Sequence, residues 1–240
     1  IVSEKKQKGK NNKIHFFKVN DVRKNLAIAA SNFYKKKPPN IIAVTGTNGK
    51  SSVADFFYQI LNFNKIPVAS IGTLGVVSKK YKKKINLTSL DPISLHKNLE
   101  ILARNNIRYV ILEASSHGLD QKRLDSLNVK IGIFTNLSHD HLDYHKSMRD
   151  YLKSKMHLFN HILKKNSKII TDENNKEFNN IKNIAKRRKI KKITIGTKSG
   201  NIKILNNKYA DDKQIVKISL NLKIYFFQVS LIGFFQIKNL

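Results

Sequence analysis

Cysteine is absent from the 240 residues, which excludes a disulfide framework and any thiolate metal site and makes a cytoplasmic location the expectation. Long apolar runs are missing as well. None approaches the ~20 residues that a membrane helix requires, so insertion into a membrane is not expected. The first residue is Ile1 rather than Met and no signal-peptide pattern follows it, which is the opening expected of a fragment. No internal repeat is visible. Acidic side chains are scarce: 16 Asp and Glu stand against 46 Lys and Arg, a net charge of +30. Such an excess ordinarily marks nucleic acid or an anionic membrane surface as the partner. Here the lysines are spread along the whole chain and accompany heavy Asn and Ile use, the pattern of a compositional bias acting on tolerant surface positions. The dense runs 79–84 and 186–192 offer no aromatic for base stacking beyond Tyr81. They read as solvated faces or a loop tip, and no specific nucleic-acid partner is expected.

What remains is a chain long enough to bury a proper core. Residues 1–13 are polar and lysine-rich and are expected to be poorly ordered, whereas 21–34 places apolar residues at helical spacing, and 35–40, with Pro38 and Pro39, reads as a linker. From Ile41 onward the rhythm is strand, turn, helix. Buried strands are predicted at 41–45, 68–72, 109–113, 131–135, 168–171 and 192–195, separated by helices over 94–105, 151–163 and 176–189. This alternation predicts an α/β fold, a mostly parallel sheet with helices on both faces. Segments 201–205 and 215–230 look like antiparallel strands, a small β region beside that sheet, and 233–240 looks like the start of a helix.

The stretch IIAVTGTNGKSS, residues 41–52, is an apolar strand breaking into a glycine-rich turn that ends in Gly49-Lys50-Ser51 and opens an amphipathic helix. Backbone N–H groups of such a turn surround phosphates, a lysine reaches the outer oxygens and the next hydroxyl can hold magnesium. The general phosphate-loop spacing would put its first glycine at Val44; the chain has Gly46 instead. Parallel sheets bind ligands at the carboxyl ends of their strands, and two further strands end in unusual polar clusters. One finishes in Glu113-Ala114-Ser115-Ser116-His117, followed by Gln121 and Arg123; the other in Thr135-Asn136-Leu137-Ser138-His139-Asp140-His141-Leu142-Asp143-Tyr144-His145. A carboxylate and an Asp-His pair on neighbouring strands are suited to hold divalent cations against triphosphate oxygens. His117 and His145 read as hydrogen-bonded loop residues rather than participants.

These three blocks together resemble the Mur ligases, ATP-dependent enzymes that extend the peptide stem of bacterial cell-wall precursors, with folylpolyglutamate synthetase as a more distant member. The pair E-A-S-S-H-G-L-x-x-x-R and T-N-L-S-x-D-H-L-D-Y-H looks like the MurE type, which adds the third residue to UDP-N-acetylmuramoyl-dipeptide. The resemblance runs from about residue 20 to 240. It implies that Gly46, Thr47, Asn48, Gly49, Lys50, Ser51 and Ser52 bind ATP, with Asn239 near the nucleotide, and that Lys50 contacts phosphates. It implies magnesium held by Ser51, Glu113 and His141, and by Lys155 once carbamylated, a modification that turns a cation into a carboxylate. Lys50, Glu113, His141 and Lys155 are thereby the catalytic set. Ser115, Gln121 and Arg123, with Thr88 and Ser89, match positions that contact the muramoyl-peptide substrate. Two departures stand out: Leu87-Thr88-Ser89-Leu90-Asp91-Pro92 displaces the family's proline, and Gln236 stands where the family has Asn.

The resemblance further implies that residues 1–37 are the remnant of a UDP-binding domain and linker, that 38–240 form the central ATP-binding domain, incomplete at its C-terminus, and that the closing ligase domain is missing. A monomer is expected, with UDP-N-acetylmuramoyl-dipeptide and an amino acid as partners. The implied reaction is carboxylate–amine ligation through an acyl phosphate. The alternatives are another Mur-type ligase such as folylpolyglutamate synthetase, an inactive fragment and, more remotely, a basic nucleic-acid-binding module.

Overall fold

The computed structural model describes residues 1–5, 15–210 and 212–240. The polar segment 1–13 lies outside the described residues from residue 6 on; ahead of it, β1 (Val2–Ser3) pairs in parallel with β2 (Phe17–Lys18). Helix α1 (Val22–Phe33) follows, its start fixed by Asp21, whose carboxylate accepts from the Lys24 N–H at 2.9 Å. Strand β3 (Asn40–Thr45) then leads through the glycine-rich turn into α2 (Lys50–Phe63). Next come β4 (Val68–Gly72), β5 (Gly75–Ser78), β6 (Lys82–Lys83), α3 (Pro92–Arg104) and β7 (Tyr109–Glu113). The short α4 (Ser116–Asp120), β8 (Val129–Phe134) and α5 (Met148–His157) continue the chain. Beyond them lie β9 (Lys168–Asp172), α6 (Phe178–Arg188), β10 (Lys191–Gly196), β11 (Ile202–Ala210), β12 (Lys213–Leu220), β13 (Lys223–Val229) and α7 (Phe234–Asn239).

Eleven strands form one sheet in the order β13-β12-β11-β10-β9-β8-β3-β7-β4-β5-β6. The central strands run parallel, and β3 lies between β7 and β8 with Ile42 opposite both Ile111 and Ile131. Ile41 to Val44 are at most 2% exposed, as a strand covered on both faces must be. From β3 the chain moves to β4 on one side of it, and from β7 it crosses to β8 on the other, so a crevice opens at the carboxyl ends of β3, β7 and β8.

The α/β prediction holds, with local corrections. The expected strand 215–230 is a hairpin, β12 and β13, turning at Asn221 and Leu222, both with positive φ. The sheet also carries a second antiparallel edge, β5 and β6, that the sequence pattern did not reveal. The helix expected at 151–163 begins earlier, where the Ser147 hydroxyl accepts from the Asp150 N–H, and ends in a π turn over Leu158–Ile162. Among the described residues no helix is long and apolar enough to cross a membrane.

Candidate active site

The glycine-rich turn can bend because of its glycines. Gly46 has φ +153° and a Cβ there would lie 1.9 Å from Thr135 Oγ1; Gly49, at φ +85°, caps α2 where a Cβ would press on the Asn239 amide at 2.8 Å. The turn is tied to the end of β8 by reciprocal bonds. The Thr47 N–H donates to Asn136 O and the Asn48 N–H to Asn136 Oδ1, both at 2.9 Å, while Thr135 Oγ1 donates to Asn48 O at 2.6 Å. The loop is therefore fixed at the N-terminus of a 14-residue helix, an end where backbone N–H groups favour negative charge.

Two lysines converge on one carbonyl. Lys50 Nζ donates to Gly46 O at 3.0 Å and to Thr47 O at 2.7 Å, and Lys155 Nζ donates to the same Gly46 O at 2.7 Å. Lys155, which from sequence alone is an exposed helix lysine, is 1% exposed and stacks over the Tyr151 ring with Nζ 4.2 Å from its centroid. Burial and the neighbouring Lys50 charge push its pKa down to about 7, against a weaker pull from Asp140. Burial also lowers Lys50, opposed by Glu113 and Asp140.

Glu113, 3% exposed at the end of β7, meets the other flank of the loop. Ser51 Oγ donates to its Oε2 at 2.8 Å, the Thr73 N–H donates to Oε1 at 2.8 Å, and Thr73 Oγ1 donates to Oε2 at 3.2 Å. Gly72 makes room for it, since a Cβ there would fall 2.1 Å from Oε1. Thr73 and Gly72 were not singled out from sequence; their position at the carboxyl end of β4, beside β7, is the signal that marks them.

His141, in the left-handed region at φ 52°, lies beyond Tyr151, whose ring centroid is 6.0 Å from its own. The Tyr151 hydroxyl is 3.1 Å from Thr47 Oγ1, which links this group to the loop. His117 packs 5.1 Å from His141, 4.0 Å from Tyr144 and 5.6 Å from His145. The expectation that His117 and His145 are simply hydrogen-bonded loop residues needs correction for both: His117 sits in α4 and its ring meets its neighbours by packing, while His145 is 4% exposed, its Nδ1 3.5 Å from Ser154 Oγ and its Nε2 without a partner among the described residues. Burial lowers the pKa of both rings.

The remaining predicted residues form a second tier behind Glu113. Ser89 Oγ donates to Glu113 O and accepts from the Ser115 N–H, both at 2.8 Å, and the Ser115 hydroxyl caps α4 through the Gly118 N–H. Arg123 Nη1 donates to Ser89 O at 2.6 Å, and Nε and Nη2 both donate to Gln121 Oε1. Thr88 lies 3.4 Å from Thr73, hydroxyl to hydroxyl. Ser52 occupies the first turn of α2. Asn239 donates to Gln236 Oε1 at 3.1 Å, so the amide that departs from the family pattern is engaged by its neighbour. A cavity of about 600 Å³ opens beside the loop between α2 and α7, lined by Val53, Phe57, Asn136, Asn175, Phe235 and Asn239 among others.

Ser51 and Glu113 offer the hard oxygen donors that magnesium prefers. Among the described residues no three His, Asp or Glu side chains gather into a ready-made metal cage. That donor set fits an ion that keeps waters and takes phosphate oxygens as its other ligands.

A family model described as the Mur ligase middle domain matches residues 44–240. The chain is 40% identical over 238 residues to the UDP-N-acetylmuramoyl-L-alanyl-D-glutamate–2,6-diaminopimelate ligase of Rickettsia bellii, covering 98% of this chain and 50% of that protein. To the protein of the same name from Brucella melitensis it is 39% identical over 221 residues, covering 92% and 45%. A solved structure of a ligase with that name superposes with a TM-score of 0.86 at 26% identity, covering 99% of this chain and 49% of that one. The chain thus spans about half the length of these relatives.

Proposed function

The chain belongs to the Mur ligase family, and from that premise we propose that it is the ATP-handling part of a ligase that joins 2,6-diaminopimelate to UDP-N-acetylmuramoyl-L-alanyl-D-glutamate in peptidoglycan synthesis. The substrate assignment rests on the names of the relatives at 39% and 40% identity. The observation that carries the catalytic part is the convergence of Lys50, Lys155 and the Ser51–Glu113 pair on one glycine-rich loop.

ATP phosphates lie in the cradle of residues 46–52, where Lys50 and the backbone N–H groups that open α2 neutralise their charge, those of Thr47 and Asn48 being held by Asn136. The apolar slot beside Asn136 and Asn239 takes the base. Ser51, Glu113 and His141, with Lys155 as a carbamate, would hold magnesium, which would supply charge neutralisation for the phosphoryl group. The substrate carboxylate attacks the γ-phosphorus, giving an acyl phosphate and ADP, and the amine then displaces phosphate. No side chain of this chain is needed as nucleophile; positioning and preorganised charge carry the acceleration. Arg123, with Gln121, Ser115, Ser89 and Thr88 around it, orients the muramoyl-peptide through a charge-assisted bond.

A lysine with a pKa near 7 presents a neutral amine at physiological pH, whose lone pair bonds the carbon of CO2 and whose proton leaves to solvent, giving the carbamate. In ¹³C-bicarbonate this chain is expected to show a carbamate carbon resonance that Lys155→Ala abolishes. In the full-length protein, phosphate release should require both the muramoyl-dipeptide and diaminopimelate, and Lys50→Ala should reduce it at least about a hundredfold. Turnover indifferent to Lys50 would overturn the assignment.

A further inference from the structure

We infer that Tyr144 is a positioning residue that sets the orientation of Gln121 and, through it, the guanidinium of Arg123. The inference rests on the reading of Arg123 as a substrate-binding side chain, but its first test does not.

Asp120 presents its carboxylate oxygens as acceptors. The Tyr144 hydroxyl donates to Asp120 Oδ2 at 2.9 Å. Its single hydrogen is thereby spent, and the phenolic oxygen is left to accept. The Gln121 amide has a donating end and an accepting end. Nε2 donates to the Tyr144 oxygen at 3.3 Å, so Oε1 must face the other way, toward Arg123. There it accepts from Nε at 3.1 Å and Nη2 at 2.6 Å. A flipped amide would present N–H groups to N–H groups, lose both bonds and free the guanidinium to turn.

Arg123 is held on its other side by Ser89 O at 2.6 Å. Of the five donors of a guanidinium, these contacts occupy three and leave two in a fixed plane for an incoming carboxylate or phosphate. Tyr144 is itself pinned from the catalytic side, since its ring stacks 4.0 Å from His117, which packs 5.1 Å from His141. Asp120 Oδ1 also lies 3.4 Å from the Oγ of Ser154, the residue before Lys155, but the hydrogen of that hydroxyl goes to Asp150 O at 2.9 Å. One hydrogen-bonded chain thus joins the end of α4, the histidine loop and the arginine. An arginine aligned in advance loses less entropy when its ligand arrives.

The test uses this chain with Tyr144→Phe, which keeps the ring on His117 and removes only the hydroxyl, and with Asp120→Ala, which lets the hydroxyl hydrogen turn toward Gln121 Oε1. In ¹⁵N NMR, both variants should speed exchange of the Arg123 Nε–H and rotation of its guanidinium by about fivefold, the worth of one modest hydrogen bond, with the melting temperature unchanged. Conservative Tyr144→Phe is the stringent variant, and Asp120→Ala carries the test should it fold poorly. Arg123 dynamics identical to those of the unmodified chain in a folded variant would overturn the inference. In the full-length protein the same variants should weaken UDP-muramoyl-dipeptide binding about fivefold and leave ATP affinity unchanged; equal loss of both would mark a merely structural role and overturn it. Failure of the unmodified protein to bind that substrate would count against the proposed function alone, because Arg123 exchange still decides the positioning role.

Discussion

At the scale of single residues the fold makes two demands that oppose side-chain chemistry. It buries Lys155 at 1% exposure against a carbonyl, and it buries His96 completely on α3. His96 Nε2 lies 2.8 Å from Ser126 Oγ, which donates to Ala27 O at 2.8 Å, so the ring locks α3 to α1 through the turn that precedes β8; Nδ1 has no partner. Burial, aided by the charge of Lys37, lowers its pKa from 6.5 to about 4. The unfolded chain therefore binds a proton between pH 6.5 and 4 that the folded chain does not. Stability from this residue is complete above pH 6.5 and falls as the pH drops toward 4, by up to about 3 kcal/mol. His96→Leu should flatten that part of the acid limb of a pH series of urea melts. A variant whose stability falls over the same range as steeply as that of the unmodified chain would refute this account.

At the scale of elements, the β12–β13 turn is built from residues that do not suit it. Asn221 and Leu222 both sit at positive φ, 51° and 64°, the two-residue geometry that favours Asn followed by Gly. Leu222 is 99% exposed, so it gains nothing from packing. Leu222→Gly should relieve the left-handed strain and raise stability by about 1 kcal/mol, seen as a higher urea midpoint at constant slope; a lower midpoint would contradict it. The same turn explains why 215–230 looked like one strand, because neither residue breaks the apolar alternation. Legibility elsewhere followed burial. Central strands covered on both faces, β3 and β7, read as unbroken apolar runs, and their following turns carried Gly49-Lys50-Ser51 and Glu113 in plain view. Strands β5 and β6 exist by pairing with β4 rather than by pattern. The cradle of Glu113 depends on Thr73 and Gly72 arriving from β4, a tertiary fact with no local signature. Tyr151 read as an ordinary helix residue, and Tyr144 as one member of a polar cluster with no role of its own, until the fold placed one under Lys155 and the other between His117 and Gln121.

At the scale of the whole molecule, a net charge of +30 must be confined in one folded body. Among the described residues three ion pairs of Lys or Arg form, Arg104–Glu100, Lys122–Asp21 and Lys238–Asp172, and exposed pairs are each worth only about 0–1 kcal/mol. Repulsion among the remaining cations acts over longer distances and is released when the chain expands. Raising the ionic strength from about 0.01 to about 0.1 M shortens the screening length from about 30 to about 10 Å, which removes the long-range repulsion while touching the close pairs little. Sodium chloride over that range should therefore raise the melting temperature by several degrees. Sulfate or phosphate would be poor choices, because the phosphate site proposed at residues 46–52 would bind them and stabilise the fold by mass action. A melting temperature that falls as chloride is added would mean that attractive pairs outweigh the repulsion, and that the lysines are placed with more order than a compositional bias would produce.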